Sequence, residues 1–319
     1  MTENLPFVSV LIPAKNEQRD IPDCLNSLLQ QDYPKDLYEI ILIDNGSMDR
    51  TVEIARKYNV SILDASNLSI GGVRNFGAKN AIGSIYAYID ADCVAGKSWI
   101  RSGVELLNES KKLGAVGGQF SVRDNASWIE SFWALPQEYV AEVRNVGILA
   151  TGSFFVKKEV FDLVEGFEED ICAGEDTDIS KRIINAGYEI GVSSRLTVIH
   201  LGYPRTISSF FKRQVWQSSD YLKTKKNGVD WVFLLVNFFM LCLVFILISS
   251  LFLELKVTLQ LISVAMSMPL LLTIKRVVKS SAPKYDIKMW FGSYFLNFLY
   301  CLARTTGLLK SYFRLIKSR

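Results

Sequence analysis

Apolar positions along this chain follow one pattern through its first two-thirds and another afterwards. Residues 7–12, 38–43, 60–63 and 84–89 are short continuous apolar runs, rich in β-branched and aromatic side chains. They read as strands buried on both faces. Between them the spacing becomes helical. Ile21, Leu25, Leu28 and Leu29 share one helix face, and Pro22 suits a first turn. The polar run 44–51 offers Ser47 or Asp49 as N-cap for a helix reaching about Tyr58, and residues 71–77 open another helix. Strands alternating with helices predict parallel βαβ units in a layered α/β domain. Further on, the pattern predicts strands over 115–122 and 150–156. It also predicts a helix over 128–143 interrupted near Pro136, and a helix starting near Thr177.

From residue 206 the pattern changes. Residues 206–222 mix aromatics and cations at helical spacing, as an interfacial helix would. Residues 231–253 carry no charge, about 34 Å of helix and enough to span a bilayer. Glu254 and Lys256 interrupt, and residues 257–274 are again uncharged, with Pro269 tolerable inside a packed bundle. Lys223, Lys225 and Lys226 precede the pair; Lys275, Arg276 and Lys279 follow it. Positive charge on both flanks predicts a transmembrane hairpin with both ends cytoplasmic. Residues 289–303 are apolar over too short a stretch to span. Arg304, Lys310, Arg314, Lys317 and Arg319 follow, so this segment is expected in the membrane interface. The expected domains are therefore 1–205, 206–228, 229–276 and 277–319.

Composition narrows the picture modestly. With 36 basic against 33 acidic residues, nothing calls for nucleic acid as a partner. The five cysteines are scattered without a paired spacing, which fits a reducing compartment and excludes a disulfide framework or zinc site. The N-terminus lacks the basic, apolar and small-residue succession of a signal peptide, so the chain is expected to start in the cytoplasm.

Candidate chemistry sits at the ends of the apolar runs. Strand 84–89 stops at Asp90-Ala-Asp92. A buried strand has no use for charge, so both acids are expected at the carboxyl edge of the sheet, where open α/β sheets bind ligands. Oxygen donors at this spacing suit a hard divalent cation and a diphosphate; they equally suit a turn or a helix N-cap. Arg74, near a helix start, could meet an anion or pair with Asp90 or a neighbour. Seven acids crowd residues 165–178. A cap explains one or two of them, but not Glu175-Asp176 immediately before an apolar-periodic helix. His200 is the one histidine. Residues 91–98 fit a relaxed phosphate-loop pattern containing Lys97, but with one glycine, and with Asp92 where phosphates would sit. An NTPase is thereby a remote alternative.

Five segments occur in order: Val8-Ser-Val-Leu-Ile-Pro-Ala-Lys-Asn-Glu17, Glu39-Ile-Ile-Leu-Ile-Asp-Asn-Gly-Ser-Met-Asp-Arg-Thr51, Gly72-Val-Arg-Asn75, Asp90-Ala-Asp92 and Gly174-Glu-Asp-Thr-Asp178. Together, over about residues 6–200, they resemble the family 2 nucleotide-sugar glycosyltransferases of GT-A fold. The resemblance implies a Rossmann-like, mostly parallel central sheet, followed here by the helical hairpin and interfacial helices. It implies a nucleotide pocket floored by Pro13, Ala14 and Glu17, with Asp44 on the base or ribose and Arg74 near the phosphates. Asp92 becomes the direct ligand of Mg²⁺ or Mn²⁺, with Asp90 nearer the ribose or a metal-bound water. His200 either completes the metal site or is structural. Asp176 is the expected base for an inverting displacement, with Glu175 as its rival, and strand 150–156 underlies the acceptor. The donor would be a nucleotide-diphospho-sugar; the membrane segments suggest a lipid-linked or glycolipid acceptor. Arg213-Gln-Val-Trp216 departs from the Gln-x-x-Arg-Trp of processive synthases, which argues for a non-processive enzyme. A catalytically silent GT-A scaffold is the other alternative.

Overall fold

The computed structural model describes residues 5–171, 174–219, 231–252 and 255–317. The end of the amphipathic segment at 220–222, the basic run 223–226, the break at Glu254, and Arg319 lie outside the described residues. By its contacts the chain forms two compact units, residues 1–123 with 139–202 and residues 124–138 with 203–319. Residues 124–138 thus group with the C-terminal helices, although they lie within the expected first domain.

In the first unit, β1 (Val8–Ala14), β2 (Tyr38–Asp44), β3 (Ser61–Asp64) and β4 (Ile85–Ile89) alternate with α1 (Ile21–Leu29), α2 (Thr51–Ala55) and α3 (Ile70–Lys79). β5 (Cys93–Ala95), α4 (Trp99–Glu109), β6 (Leu113–Gly117) and β7 (Phe120–Ser121) follow. After a short helix belonging to the second unit, α5 (Trp128–Trp133), come β8 (Arg144–Asn145), β9 (Ser153–Lys157), α6 (Lys158–Leu163), α7 (Glu175–Asn185), β10 (Glu189–Val192) and β11 (Val198–His200).

The main sheet has the order β3-β2-β1-β4-β9-β6-β10-β8. β1 pairs in parallel with both β2 and β4, while β9 runs antiparallel between β4 and β6. Because successive strand residues face opposite sides, β1 sends Val8, Val10 and Ile12 to one core and Leu11 to the other. The first core adds Leu25 and Leu28 of α1 and Trp99, Val104 and Leu107 of α4. The second adds Val73 of α3, Phe161 of α6, and Ile179 and Ile183 of α7. Helices on both faces explain why these strands are apolar throughout. A small second sheet, β5-β11-β7, carries His200 at its end.

Several local expectations change. The helix at 128–143 is only Trp128–Trp133. Ser127 and Glu130 start it with a capping box, and Pro136 keeps the chain from returning to helix because it lacks a donor and restricts the residue before it. The strand at 115–122 divides at Gly118, where a Cβ would collide with the Leu196 carbonyl. The strand beginning at Ala150 starts at Ser153. Arg50, not Ser47 or Asp49, occupies the N-cap of α2, although Asp49 Oδ1 accepts the Thr51 N–H at 2.9 Å.

The second unit contains α5, α8 (Ile207–Ser219), α9 (Trp231–Phe252), α10 (Leu255–Lys279) and α11 (Ile287–Lys317). α9 and α10 are long and apolar enough to cross a membrane. Only 22% of the apolar window in α9 is buried, and Leu234, Phe238, Leu241, Phe245 and Leu251 are exposed. A core helix of a water-soluble protein would hide that face. The segment read as ending near Ala303 continues as one 31-residue helix. Its glycines allow close packing: a Cβ at Gly292 would enter the Phe132 ring, and one at Gly307 would strike Ser218 of α8.

Candidate active site

The site is built where β1, β2 and β4 end. Ala14 pairs in register with Asp44, and the Asn45 N–H donates to the Ala14 carbonyl at 2.8 Å. Two polar loops then lock together. Asn16 adopts a left-handed φ of 59°, its N–H donates to Ser47 Oγ at 2.9 Å, and its Oδ1 accepts from the Met48 N–H at 2.8 Å. The Glu17 N–H donates to Thr51 Oγ1 at 2.7 Å. Pro13, Ala14 and Glu17 are thereby held beside Asp44, whose buried carboxylate accepts the Ser47 N–H at 3.1 Å. Asp44 ends β2 and Asp90 follows β4, one strand on either side of β1. At ~4.8 Å per strand, the two acids stand on the order of 10 Å apart, about the span from a nucleoside to its diphosphate.

Asp90, Asp92, Arg74, Glu175 and His200 come together from three elements, α3, α7 and β11, and the turn after β4. Arg74, on α3, is buried. One guanidinium nitrogen meets Glu175 Oε1 at 2.7 Å and the other meets Asp90 Oδ1 at 3.5 Å. The guanidinium lies 5.4 Å from the centre of the Phe167 ring, and its Nε is buried without a hydrogen-bond partner. The ion pair expected for Arg74 is therefore present, to Asp90 and to Glu175. His200 Nε2 lies 3.7 Å from Asp92 Oδ2, and the Leu201 N–H donates to the Asp92 carbonyl at 2.7 Å. Phe120 meets the His200 ring edge-on at 5.8 Å.

Glu175 and Asp176 diverge. Glu175 opens α7 and is committed to Arg74, whereas Asp176 accepts the N–H of Thr177 at 2.7 Å. Burial, followed by the charge of Glu175, raises the Asp176 carboxyl above its ordinary range. A raised carboxylate without a bound cation is the better proton acceptor of the two.

The field is strongly negative. Burial, then the charges of Asp92, Asp20, Asp90 and Asp49, raise Glu17 to about 7. Asp90 is raised by burial despite Arg74, with Asp92 adding to the rise. Asp92 and His200, together with Cys93, bring potential metal donors within 4.8 Å of one another. Burial pushes the Cys93 thiol far up, so it stays protonated and is a poor ligand. One carboxylate and one imidazole in an acid-rich, partly buried site fit a divalent cation.

Sequence reasoning missed Gly202 and Asp20, and gave Gly152 only as part of the strand beneath the acceptor. A Cβ at Gly152, just before β9, would lie 2.6 Å from Asp90 Oδ2. A Cβ at Gly202 would overlap the Asp92 carboxylate. The signal for Gly202 was its place two residues after the lone histidine. Asp20, raised by burial but drawn down by Arg19 and His200, also belongs to this field. The relaxed phosphate-loop pattern fails structurally, because residues 93–95 form β5 and pair with β11.

Comparisons with known proteins agree with this geometry. The model of Glycosyl transferase family 2 matches residues 9–164, which includes Asp44, Arg74, Asp90 and Asp92 and ends before Glu175. The glycosyltransferase AglE of Haloferax volcanii is 32% identical over 215 residues, 64% of this chain and 70% of that protein. A dolichyl N-acetyl-α-D-glucosaminyl phosphate 3-β-D-2,3-diacetamido-2,3-dideoxy-β-D-glucuronosyltransferase of Methanococcus voltae is 23% identical over 306 residues, 88% and 90% of the two chains. In fold, the chain is similar to the mannosyltransferase PcManGT of Pyrobaculum calidifontis, solved with GDP-Man and Mn²⁺. That match has a TM-score of 0.59 and 17% identity over 98% of this chain and 88% of that one. With its GT-A architecture and with AglE matched over more than two-thirds of its length, the chain belongs to glycosyl transferase family 2.

Proposed function

We propose that this protein transfers a sugar from a nucleotide-diphospho-sugar to a hydroxyl or phosphate of a lipid-linked acceptor, inverting the anomeric carbon. The observation that carries the reading is the buried Arg74 bridge, which ties the Asp90-Ala-Asp92 turn to Glu175 and leaves Asp176 outside the ion pair.

In this reading, Pro13, Ala14 and Glu17 floor the nucleotide pocket and Asp44 accepts hydrogen bonds from base or ribose. Arg74 faces the phosphates, and Asp90 faces the ribose or a metal-bound water. Asp92 and His200 would hold Mg²⁺ or Mn²⁺, which when bound supplies positive charge to the diphosphate. Asp176 takes the proton of an acceptor hydroxyl as that oxygen bonds to the anomeric carbon. The bond from that carbon to the phosphate oxygen breaks, and the nucleoside diphosphate leaves with its electron pair. Glu175 fixes Arg74 and so acts through position. The two exposed apolar helices, with basic residues flanking them, support a two-span anchor that keeps the catalytic unit at the cytoplasmic leaflet. A lipid-borne acceptor is supported by that anchor and by the dolichyl-linked substrate named for the Methanococcus relative.

Asp176→Asn tests the chemistry. It keeps shape and cannot take a proton. Donor and Mn²⁺ binding, followed by thermal stabilisation of the detergent-purified protein, should persist while turnover falls about 10²–10⁴-fold. Glu175→Gln should instead weaken donor binding, because Arg74 loses its partner. Turnover retained by Asp176→Asn, or abolished by Glu175→Gln with binding intact, would move the base.

A further inference from the structure

The second unit holds a partly open cavity of about 130 Å³ among α8, α9 and α11. Its lining includes the apolar Val232, Val236 and Leu308 and the polar Ser218, Tyr300 and Arg304. Arg304 is the anomaly. Its guanidinium donates to Gln217 Oε1 at 3.1 Å and lies 5.0 Å from the centre of the Tyr300 ring. Its Nε is buried without a hydrogen-bond partner, and among the described residues no carboxylate is within ion-pair reach. A cation partly withdrawn from water needs an anion or full hydrogen bonding to offset its desolvation. Among the described residues, the surrounding helices offer no such anion. α8 contains Lys212 and Arg213, and α11 contains Lys288, Arg304 and Lys310, with no Asp or Glu in either.

Position says what kind of anion fits. Val232 and Val236 lie in the first two turns of α9, which begins at an exposed Trp231. A tryptophan opening an apolar span marks headgroup depth. A guanidinium there meets phosphate oxygens bidentately, while the exposed apolar face of α9 can receive hydrocarbon.

We propose that this cavity binds a lipid-borne phosphate, with Arg304 as its cation. The proposal rests on the reading of α9 as a membrane span and is independent of the donor chemistry. The cavity is large enough for a phosphate group of a few heavy atoms.

The test uses the full chain in neutral detergent, with dioleoyl phosphatidic acid, dioleoylglycerol and inorganic phosphate as separate probes of thermal stability. Phosphatidic acid should stabilise saturably, and the other two should have no effect at the same concentrations. Arg304→Gln should raise the half-saturating concentration about 10- to 100-fold, as expected for losing a charge-assisted pair. Arg304→Lys should recover part of it. Val236→Trp, which fills the cavity and keeps the cation, should abolish the response. Stabilisation by donor with Mn²⁺ reports whether each variant is folded. Its absence from the parent would sink the transferase reading and leave this one standing. Equal stabilisation by dioleoylglycerol would reduce the site to an apolar surface, and by inorganic phosphate to a free-anion site. An unchanged response in Arg304→Gln, or in Val236→Trp should Arg304→Gln not fold, would overturn the proposal.

Discussion

Replacing Gly152 by alanine separates the fold from the site. The added Cβ would lie 2.6 Å from Asp90 Oδ2 and 2.9 Å from Phe120 Cε1, against an ordinary contact beginning at 3.4 Å. The carboxylate must therefore retreat by about 0.8 Å, the difference between 3.4 and 2.6 Å. Asp90 opens the turn after β4 and its side chain can rotate, so the fold should lose only the about 1–3 kcal/mol typical of local overpacking. The site should lose more, because Asp90 also faces Arg74 at 3.5 Å and Phe120 packs on His200. A displacement near 1 Å at a binding constellation can cost about 10²-fold. Donor affinity measured with Mn²⁺ should accordingly fall about 10- to 100-fold, with a modest fall in melting temperature. Asp90→Ala supplies the control. It removes the atom that the new methyl meets, so Gly152→Ala should cost far less in that background, a non-additivity that a double-mutant cycle reads directly. Additive effects of the two changes, or unaltered donor affinity in Gly152→Ala, would refute the geometry.

Glu17→Gln tests the negative field. A carboxyl at about 7 when folded and 4.5 when unfolded binds its proton more tightly in the folded state. Its stabilising contribution is full below pH 4.5 and lost as pH rises to about 7. The variant should show a flatter decline of melting temperature across that window, and an unchanged slope would sink the assignment. Asn75→Ala should destabilise by about 1–3 kcal/mol. It removes a reciprocal pair in which Asn75 Nδ2 donates to the Phe167 carbonyl and Oδ1 accepts the Phe167 N–H, both at 2.8 Å. Denaturant unfolding checks this, and a change below the measurement error would show that water replaces the pair.

Much of this protein was legible before folding because burial writes itself into local sequence. Strands covered on both faces must be apolar throughout, so β1, β2 and β4 stood out, and a carboxylate at the end of such a strand could only be at an edge. That logic located Asp44, Asp90 and Asp92, and the absence of charge in α9 announced an apolar helix. Periodicity carries no strand direction, however, so nothing local foretold that β9 would run antiparallel between β4 and β6. Nor does spacing decide which of two adjacent acids meets a cation. Which of Glu175 and Asp176 pairs with a cation was decided by Arg74, 101 residues away from Glu175. Close approach is likewise a property of two segments at once. Gly152 matters because Asp90 arrives beside it, and residues 124–138 join the C-terminal helices because Phe132 fits the space left by Gly292. Local sequence sets which groups must be hidden and which cannot be. Chain crossing decides which of them meet, since contact energies are realised only between surfaces that the whole fold brings together.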